Sequence, residues 1–455
     1  MIDLPGLGPT GEYRSRKREI ITDTAAAPVA ELSIAPPLYI ARTMAAQRKT
    51  APLPLDQRQA ALHKAGAVFA TSEAAGLDFE SYVQLASRVS GLPIAVTRFQ
   101  AQEVSDAVLG AFDAIEPARP VGAVPDWRAM RRGQPSAIWS RRGDVFGVHA
   151  SGNAPGVHGL WPQALAMGYR VAVRPSRREP FTAHRLVSAL REAGFRDDDV
   201  AYLPTDHAGA DEIIASADLA LVYGGSDVVT KYDGDPRVVV NGPGRTKILL
   251  TAEQDWRDHL DVIVDSIARL GGMACVNTTA VLIDGDAAGL ATAIAERLSA
   301  IEVLPPDDER AILPTQPLES ARAIATFLAT RAAGTSALLS ADQVVADLGD
   351  GRAVLRPAVH LLADLDTDKL NTELAFPCVW VAPWERANGI EALRHSLVIS
   401  AFTEDEMLVD ELLDEPTIAN VYRGPVPTYH TAPGLPHDGF LADFLLRTKG
   451  FIAFS

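Results

Sequence analysis

The chain has 455 residues, enough for two or three domains with sizeable cores at ~150 residues each. Apolar residues make up 47% and charged residues 22%, which excludes a disordered or collagen-like chain. Lys and Arg number 42 against 58 Asp and Glu, and the net charge of −16 makes a poor non-specific ligand for nucleic acid or an anionic membrane, while leaving room for a local basic pocket.

Met1 to Ile20 lacks an apolar core and is charged through Glu12-Tyr-Arg-Ser-Arg-Lys-Arg-Glu19, so it reads as neither a secretory signal nor a lipidation site. It carries a Gly-x-Gly-x-x-Gly match, Gly6-Leu-Gly-Pro-Thr-Gly11. A dinucleotide fingerprint needs a strand before it and a helix opening inside it. Met-Ile-Asp-Leu-Pro precedes this one and Pro9 follows its second glycine, which predicts a flexible terminus instead.

Residues 38 to 116 predict helices, with Ala/Leu-rich runs at Leu55 to Ala70 and Phe99 to Phe112. Pro117 to Arg142, with four prolines and several arginines, predicts connecting or edge structure. Strands then alternate with helices: Val145 to Ala150, Arg170 to Val173, Val200 to Leu203, Leu219 to Tyr223 and Arg237 to Val240, with an amphipathic helix over Thr182 to Ala193 that Gly194 ends. That rhythm argues for a parallel sheet covered on both faces. A second α/β stretch begins near Thr251, with helices over Asp255 to Leu270 and Ala287 to Leu298 and strands over Thr279 to Ile283, Val379 to Val381 and Leu397 to Phe402. The acidic run Glu404 to Glu415 reads as the wet face of a helix. No internal repeat or low-complexity tract occurs.

The longest charge-free stretch, Val145 to Tyr169, holds two His, Asn, Ser, Gln, two Pro and several Gly, and is too polar to span a bilayer. Two cysteines, Cys275 and Cys378, are too few for a disulfide framework and lack zinc-ligand spacing. The expectation is a soluble cytoplasmic protein without a metal.

Several segments carry candidate chemistry. Cys275 follows paired glycines in Gly271-Gly-Met-Ala-Cys-Val-Asn277, where the backbone can turn sharply and expose a thiol; a small buried apolar residue is the plain alternative. Cys378, in Phe376-Pro-Cys-Val-Trp380, belongs to the core. Ser151-Gly-Asn-Ala-Pro-Gly156 joins a strand to a helical stretch, so Asn153 is either a capping residue or an oxyanion donor. Arg174-Pro-Ser-Arg-Arg178 puts three arginines at the carboxyl end of a parallel strand, where such sheets take phosphorylated ligands; a solvated basic patch is the alternative. Tyr223-Gly-Gly-Ser-Asp227 ends a strand and opens a helix, either presenting free amides to a pyrophosphate or making an ordinary tight turn. His149 and His158 flank Asn153 but form no recognisable metal pair.

Taken in order, these segments resemble the aldehyde dehydrogenase superfamily from about residue 40 to the end. The resemblance makes Cys275 the nucleophile and Asn153 the oxyanion donor. It places Arg174, Ser176 and Arg177 at the cofactor ribose and phosphates, where the family has Lys-Pro-Ser-Glu. Gly225 and Ser226 fall under the pyrophosphate, and Glu373, in Glu373-Leu-Ala-Phe-Pro377, falls at the nicotinamide ribose. Hydrolytic members carry Glu-Leu-Gly-Gly, whose Glu activates water. Asn241-Gly-Pro-Gly244 stands there instead, with Gly244 among the expected cofactor contacts. Gly-Pro-Gly with Gly-Met-x-Cys is similar to the coenzyme A-acylating branch, and His149-Ala-Ser-Gly-Asn-Ala-Pro155 to the fatty acyl reductases of bacterial bioluminescence.

The resemblance therefore implies two doubly wound α/β domains, a Rossmann-like cofactor domain over 1–126 and 144–248 and a catalytic domain over 249–425. A small oligomerisation element covers 127–143 and 426–455, building a homodimer or tetramer. The implied reaction is reduction of an acyl thioester to an aldehyde through acyl-Cys275, or its reverse. The co-substrate thiol is coenzyme A or phosphopantetheine, and a carrier protein or an acyl-activating enzyme is a possible partner. A carboxylate at position 177 would repel a 2′-phosphate. Arg177 reverses that preference and favours NADPH over NADH. Two alternatives stay open: a hydrolytic dehydrogenase releasing free acid, with Glu373 or another residue as base, and a catalytically silent nucleotide-binding partner of an acyl-activating enzyme.

Overall fold

Two seven-stranded sheets organise the chain. The computed structural model describes residues 1–129, 135–432 and 434–453. The expected oligomerisation elements fall partly outside them, at 130–134, 433 and 454–455.

The first sheet runs Val238–Asn241, Leu219–Tyr223, Val145–His149, Arg170–Arg174, Val200–Tyr202, all parallel, and is extended by an antiparallel hairpin of Gly6–Gly8 and Gly11–Tyr13. Val145, Phe146, Val148, Val171 and Val173 are fully buried, as strands covered on both faces must be. The helix Phe181–Ala193 covers one face with Leu186, Val187 and Leu190, and Gly194 closes it at positive φ.

The second sheet runs Ser336–Leu339, Ala358–Leu361, Cys378–Pro383, Thr278–Ile283, Thr246–Leu250, Ser396–Phe402, Ile418–Arg423, parallel except at its first strand. The chain crosses between sheets over Gly242 to Arg245, so the second α/β stretch starts before Thr251, with the strand Thr246–Leu250. The predicted helix over Asp255 to Leu270 is the helix Leu260–Ala268 between two short 3₁₀ turns. The acidic run forms the helix Glu406–Asp414, with Leu408 and Leu412 turned inward.

The glycine-rich start is no dinucleotide loop, and it is not a loose terminus either. Leu7 pairs with Tyr202, Tyr13 stacks on Tyr39 at 3.8 Å between ring centroids, and a Cβ at Gly8 would lie 2.1 Å from the Tyr39 hydroxyl. A side chain at that position would have to displace the Tyr39 ring from its stack on Tyr13. The segment after Pro117 contributes Ala123–Val124 and Ser136–Arg141 to a three-stranded sheet, where Ser136–Arg141 is flanked antiparallel by Leu446–Phe451. Among the described residues, no helix is long and apolar enough to cross a membrane, and no group of three or more His, Cys, Asp or Glu is placed to hold a metal ion.

Candidate active site

The loop that carries Cys275 is shaped by an unusual run of backbone. Leu270, Gly271 and Gly272 all have positive φ, at 59°, 74° and 63°. At Gly272 a side chain would also strike the Pro377 nitrogen at 2.4 Å, so the paired glycines are needed for both conformation and space. Asn277 then locks the loop. Its Oδ1 accepts from the Ala274 amide at 3.0 Å, and its Nδ2 donates to the Ser266 and Arg269 carbonyls at 3.1 and 2.7 Å. Thr246 Oγ1 donates to the Cys275 carbonyl at 2.8 Å. Cys275 is partly exposed, whereas Cys378 is buried in the second sheet and its thiol is pushed up to about 12 by burial.

Gly244 packs directly on this loop: a Cβ there would lie 1.9 Å from the Cys275 carbonyl oxygen. The absence of a side chain at this position lets the crossover touch the thiol loop. Asn153 also arrives from the first sheet, with Nδ2 donating to the Met273 carbonyl at 3.2 Å and Oδ1 accepting from Ser151 Oγ at 2.5 Å. One of its two amide hydrogens is thereby committed to the thiol loop, which leaves the second for a ligand.

The expected cofactor residues line the carboxyl ends of the first sheet. Arg174 ends its strand with Nε buried and without a hydrogen-bond partner. Ser176 Oγ accepts from the Arg178 amide at 3.1 Å and sits against Gly152, where a Cβ would be 2.3 Å away. Arg177 is already engaged, with Nη1 3.0 Å from Glu19 of the strand Arg18–Thr22. Gly225 and Ser226 are exposed at the start of the helix Ser226–Tyr232, which no side chain caps.

Glu373 turns inward. Its Oε2 accepts from the Arg245 amide at 3.0 Å, and burial pushes its carboxyl up against that stabilising contact. Arg245, which sequence reasoning passed over, has positive φ (49°). Its Nη2 donates to Ser226 Oγ at 3.0 Å, its Nε is buried without a partner, and its carbonyl accepts from Lys247 Nζ at 2.9 Å. Buried Lys247 also donates to Asn371 Oδ1 and Ser396 Oγ. Burial, aided by neighbouring Arg245, lowers its amine to about 7.

The larger omission is His437. Its Nε2 lies 3.3 Å from Cys275 Sγ, and its Nδ1 lies 2.5 Å from Asp438 Oδ2. Burial disfavours the charged ring, but Cys275 and Asp438 outweigh it and hold the imidazole well above the ordinary histidine range. The segment is tied down by Asn420, whose Nδ2 donates to the carbonyls of His437 (2.5 Å) and Leu397 (3.0 Å). Beside it lies a cavity of about 230 Å³ lined by Asn241, Asp438, Leu160, Leu221, Val239 and Phe440. His149 and His158 are buried, and burial lowers each to about 3; Trp161 Nε1 donates to His158 Nδ1 at 3.1 Å.

A dinucleotide-type sheet facing a thiol carried on a second α/β sheet defines the class, a nicotinamide-dependent α/β oxidoreductase. The chain belongs to the aldehyde dehydrogenase family, whose sequence pattern matches residues 16–396. Among solved structures it is similar to an NAD-dependent aldehyde dehydrogenase from Sinorhizobium meliloti, with a TM-score of 0.82 and 18% identity, covering 99% of this chain and 95% of that one. It is also similar to the aldehyde dehydrogenase KauB from Pseudomonas aeruginosa, with a TM-score of 0.83 and 14% identity, covering 99% and 96%. At these identities the likeness concerns the fold alone. A Caenorhabditis elegans protein described as a methylmalonate-semialdehyde/malonate-semialdehyde dehydrogenase (acylating) is 24% identical over 160 residues, 33% of this chain. That match spans 31% of the curated relative's length.

Proposed function

We propose that this aldehyde dehydrogenase interconverts an acyl thioester and an aldehyde through an acyl group on Cys275, using NADPH in preference to NADH. The observation that carries this is the Asn241-Gly-Pro-Gly244 crossover. Where hydrolytic members present a Glu to water, this chain presents Asn241, and Gly244 is pressed against the Cys275 carbonyl. Glu373 is a poor substitute, because its Oε2 is held by the Arg245 amide. A thiol needs little help to displace the acyl group, being a few per cent ionised near neutrality, so loss of the carboxylate suppresses hydrolysis without blocking exchange with coenzyme A or a phosphopantetheine thiol.

Cys275 Sγ attacks the thioester carbonyl, and the second amide hydrogen of Asn153 together with the Cys275 backbone amide stabilises the oxyanion. The carrier thiol leaves and acyl-Cys275 remains. The residues fit a nicotinamide dinucleotide: the orphaned buried Nε of Arg174 and Arg245 want acceptors, Ser176 lies at the same strand end, and Gly225 and Ser226 open an uncapped helix. When bound, that cofactor supplies hydride in the reductive direction and accepts it in reverse. Arg174 would hold phosphate, Arg177 would take a 2′-phosphate on release from Glu19, and Glu373 would face the nicotinamide ribose.

A second reading, release of the acyl group to water as free acid, draws support from the imidazole 3.3 Å from the sulfur. A panel of acyl thioesters with NADPH, followed by cofactor oxidation and product analysis with and without added thiol, separates the two. Thioester-dependent NADPH oxidation yielding aldehyde is expected. Aldehyde oxidation to free acid at a rate indifferent to thiol would replace the first reading with the second, and a turnover-competent Cys275→Ala would remove both.

A further inference from the structure

We propose that His437 is the acid–base residue of this site: it takes the Cys275 proton as the sulfur attacks, and returns it to the thiolate that leaves, with Asp438 as its positioning residue. The proposal rests on reading Cys275 as the acyl-accepting thiol. It assigns a proton path to a segment far from every residue that the family pattern brings to mind, since Cys275 and His437 are 162 positions apart.

The geometry is that of an activated nucleophile. A base lies within hydrogen-bond reach of the thiol, and a third group holds that base by its other nitrogen. Nε2 faces Sγ at 3.3 Å and Nδ1 faces Asp438 Oδ2 at 2.5 Å, so the carboxylate selects the tautomer whose Nε2 lone pair points at sulfur. Asn420 fixes the backbone of the pair by gripping the His437 carbonyl and the strand Ser396–Phe402 at once. The imidazole keeps 37% of its side-chain surface, so a second thiol can reach it.

Among the described residues, no neighbour competes for the task. The titratable groups coupled to the ring are Cys275 and Asp438, and the nearby Tyr223 phenol, which feels the charge of both, keeps its proton through burial. Lys247 spends its amine on three oxygens, and Glu373 on the Arg245 amide. Cys275 and Asp438 together hold the ring's proton affinity above the ordinary histidine range, as a group that accepts a proton in this position needs.

The step is a thiol exchange and balances without oxidant, reductant or water. The bond from the acyl carbon to Cys275 Sγ forms, the bond to the carrier sulfur breaks, and one proton passes from Sγ to Nε2 to the departing thiolate. In reverse, an incoming thiol gives its proton to Nε2 before attacking acyl-Cys275.

The test needs no nicotinamide. Iodoacetamide alkylation of Cys275 is followed from about pH 6 to about pH 9 in the wild type, His437→Ala and Asp438→Asn, with the bare thiol of the alanine variant expected to slow roughly tenfold per pH unit below ~8.5. The wild type should keep its rate on the acid side, so that the two differ by about a hundredfold near pH 6.5. Asp438→Asn should fall between them, and it carries the test alone should His437→Ala fail to fold. Acyl transfer from an S-acyl-N-acetylcysteamine to Cys275, read by intact mass, should slow in parallel and recover in part with added imidazole. Superimposable alkylation profiles would overturn the proposal. A wild type that alkylates as expected but accepts no acyl group from any thioester would overturn the substrate reading and leave the proton path standing.

Discussion

Gly244 offers the sharpest test of how the crossover and the thiol loop depend on each other. A methyl at this position would lie 1.9 Å from the Cys275 carbonyl oxygen, 2.6 Å from its carbonyl carbon and 2.7 Å from its Cα, where ordinary contact begins at 3.4 Å. All three atoms are backbone, so no side-chain rotation relieves the clash. Accommodating Gly244→Ala means moving the Cys275 backbone by about 1.5 Å, and a displacement of ~1 Å at a reacting centre costs roughly a hundredfold in rate. The same shift pulls the Cys275 carbonyl from Thr246 Oγ1 and the Arg245 amide from Glu373. At about 1 kcal/mol per neutral hydrogen bond, that predicts a destabilisation of ~1–2 kcal/mol, too small to unfold the protein. Gly244→Ala should therefore remain folded and bind cofactor, while kcat falls by at least about a hundredfold, or ~2.7 kcal/mol in the barrier. Gly450→Ala, where an added Cβ meets nothing within 4 Å, serves as the control and should leave kcat unchanged. Wild-type turnover by Gly244→Ala would refute the coupling between crossover and nucleophile.

Cofactor choice should respond to a residue outside the nucleotide strand. Glu19→Ala frees Arg177 from an ion pair worth under about 1 kcal/mol, so thermal stability should hold while KM for NADPH falls several-fold relative to NADH; a shift toward NADH would displace the 2′-phosphate from Arg177. Lys247 links the site to pH-dependent stability. Its amine is about 7 in the folded protein against 10.5 ordinarily, so the unfolded chain binds the extra proton between those values and stability climbs as pH rises through that window. The slope approaches ~1.4 kcal/mol per pH unit, and Lys247→Met should abolish it; parallel Tm-against-pH curves for the two proteins would refute the assignment.

The parts of the fold most legible in sequence are those whose burial is symmetrical. Leu219–Tyr223 is apolar on both faces and can be little else than a buried parallel strand, and Phe181–Ala193 advertises one apolar face and a terminal glycine. Thr246–Leu250 is obscured because Lys247, a charged residue by composition, is buried there and satisfied by three oxygens that only the fold supplies. The short strands Ile2–Leu4, Arg18–Thr22 and Pro28–Ser33 escape because each is only three to six residues long and buries a few apolar residues, Leu4, Ile21, Val29 and Leu32 among them, too few to set a period in sequence. At the site, paired glycines before a cysteine and an Asn-bearing turn after a strand carry local backbone demands that show in sequence, and the structure brings Cys275 and Asn153 to one loop. The Arg177–Glu19 pair does not show, because its two halves are 158 residues apart.

His437 was illegible for a related reason, and its position explains why the altered crossover is tolerable. Asn241, in place of the expected carboxylate, and Asp438, behind the imidazole, line the same cavity although 197 positions separate them in the chain. Neither departure makes chemical sense by itself. An acyl-cysteine site without a base would hold its thiol protonated for much of the time, and a base added next to a retained glutamate would set two acceptors competing over one sulfur. Together they exchange a carboxylate that recruits water for an imidazole that touches sulfur. An imidazolium can also protonate a departing thiolate, whose parent thiol ionises near ~8.5, which an ionised carboxylate cannot do. On the proposed reading, this exchange of base serves the thiol-transfer step in both of its directions, and the yield of free acid with and without added thiol tells whether water shares the same imidazole.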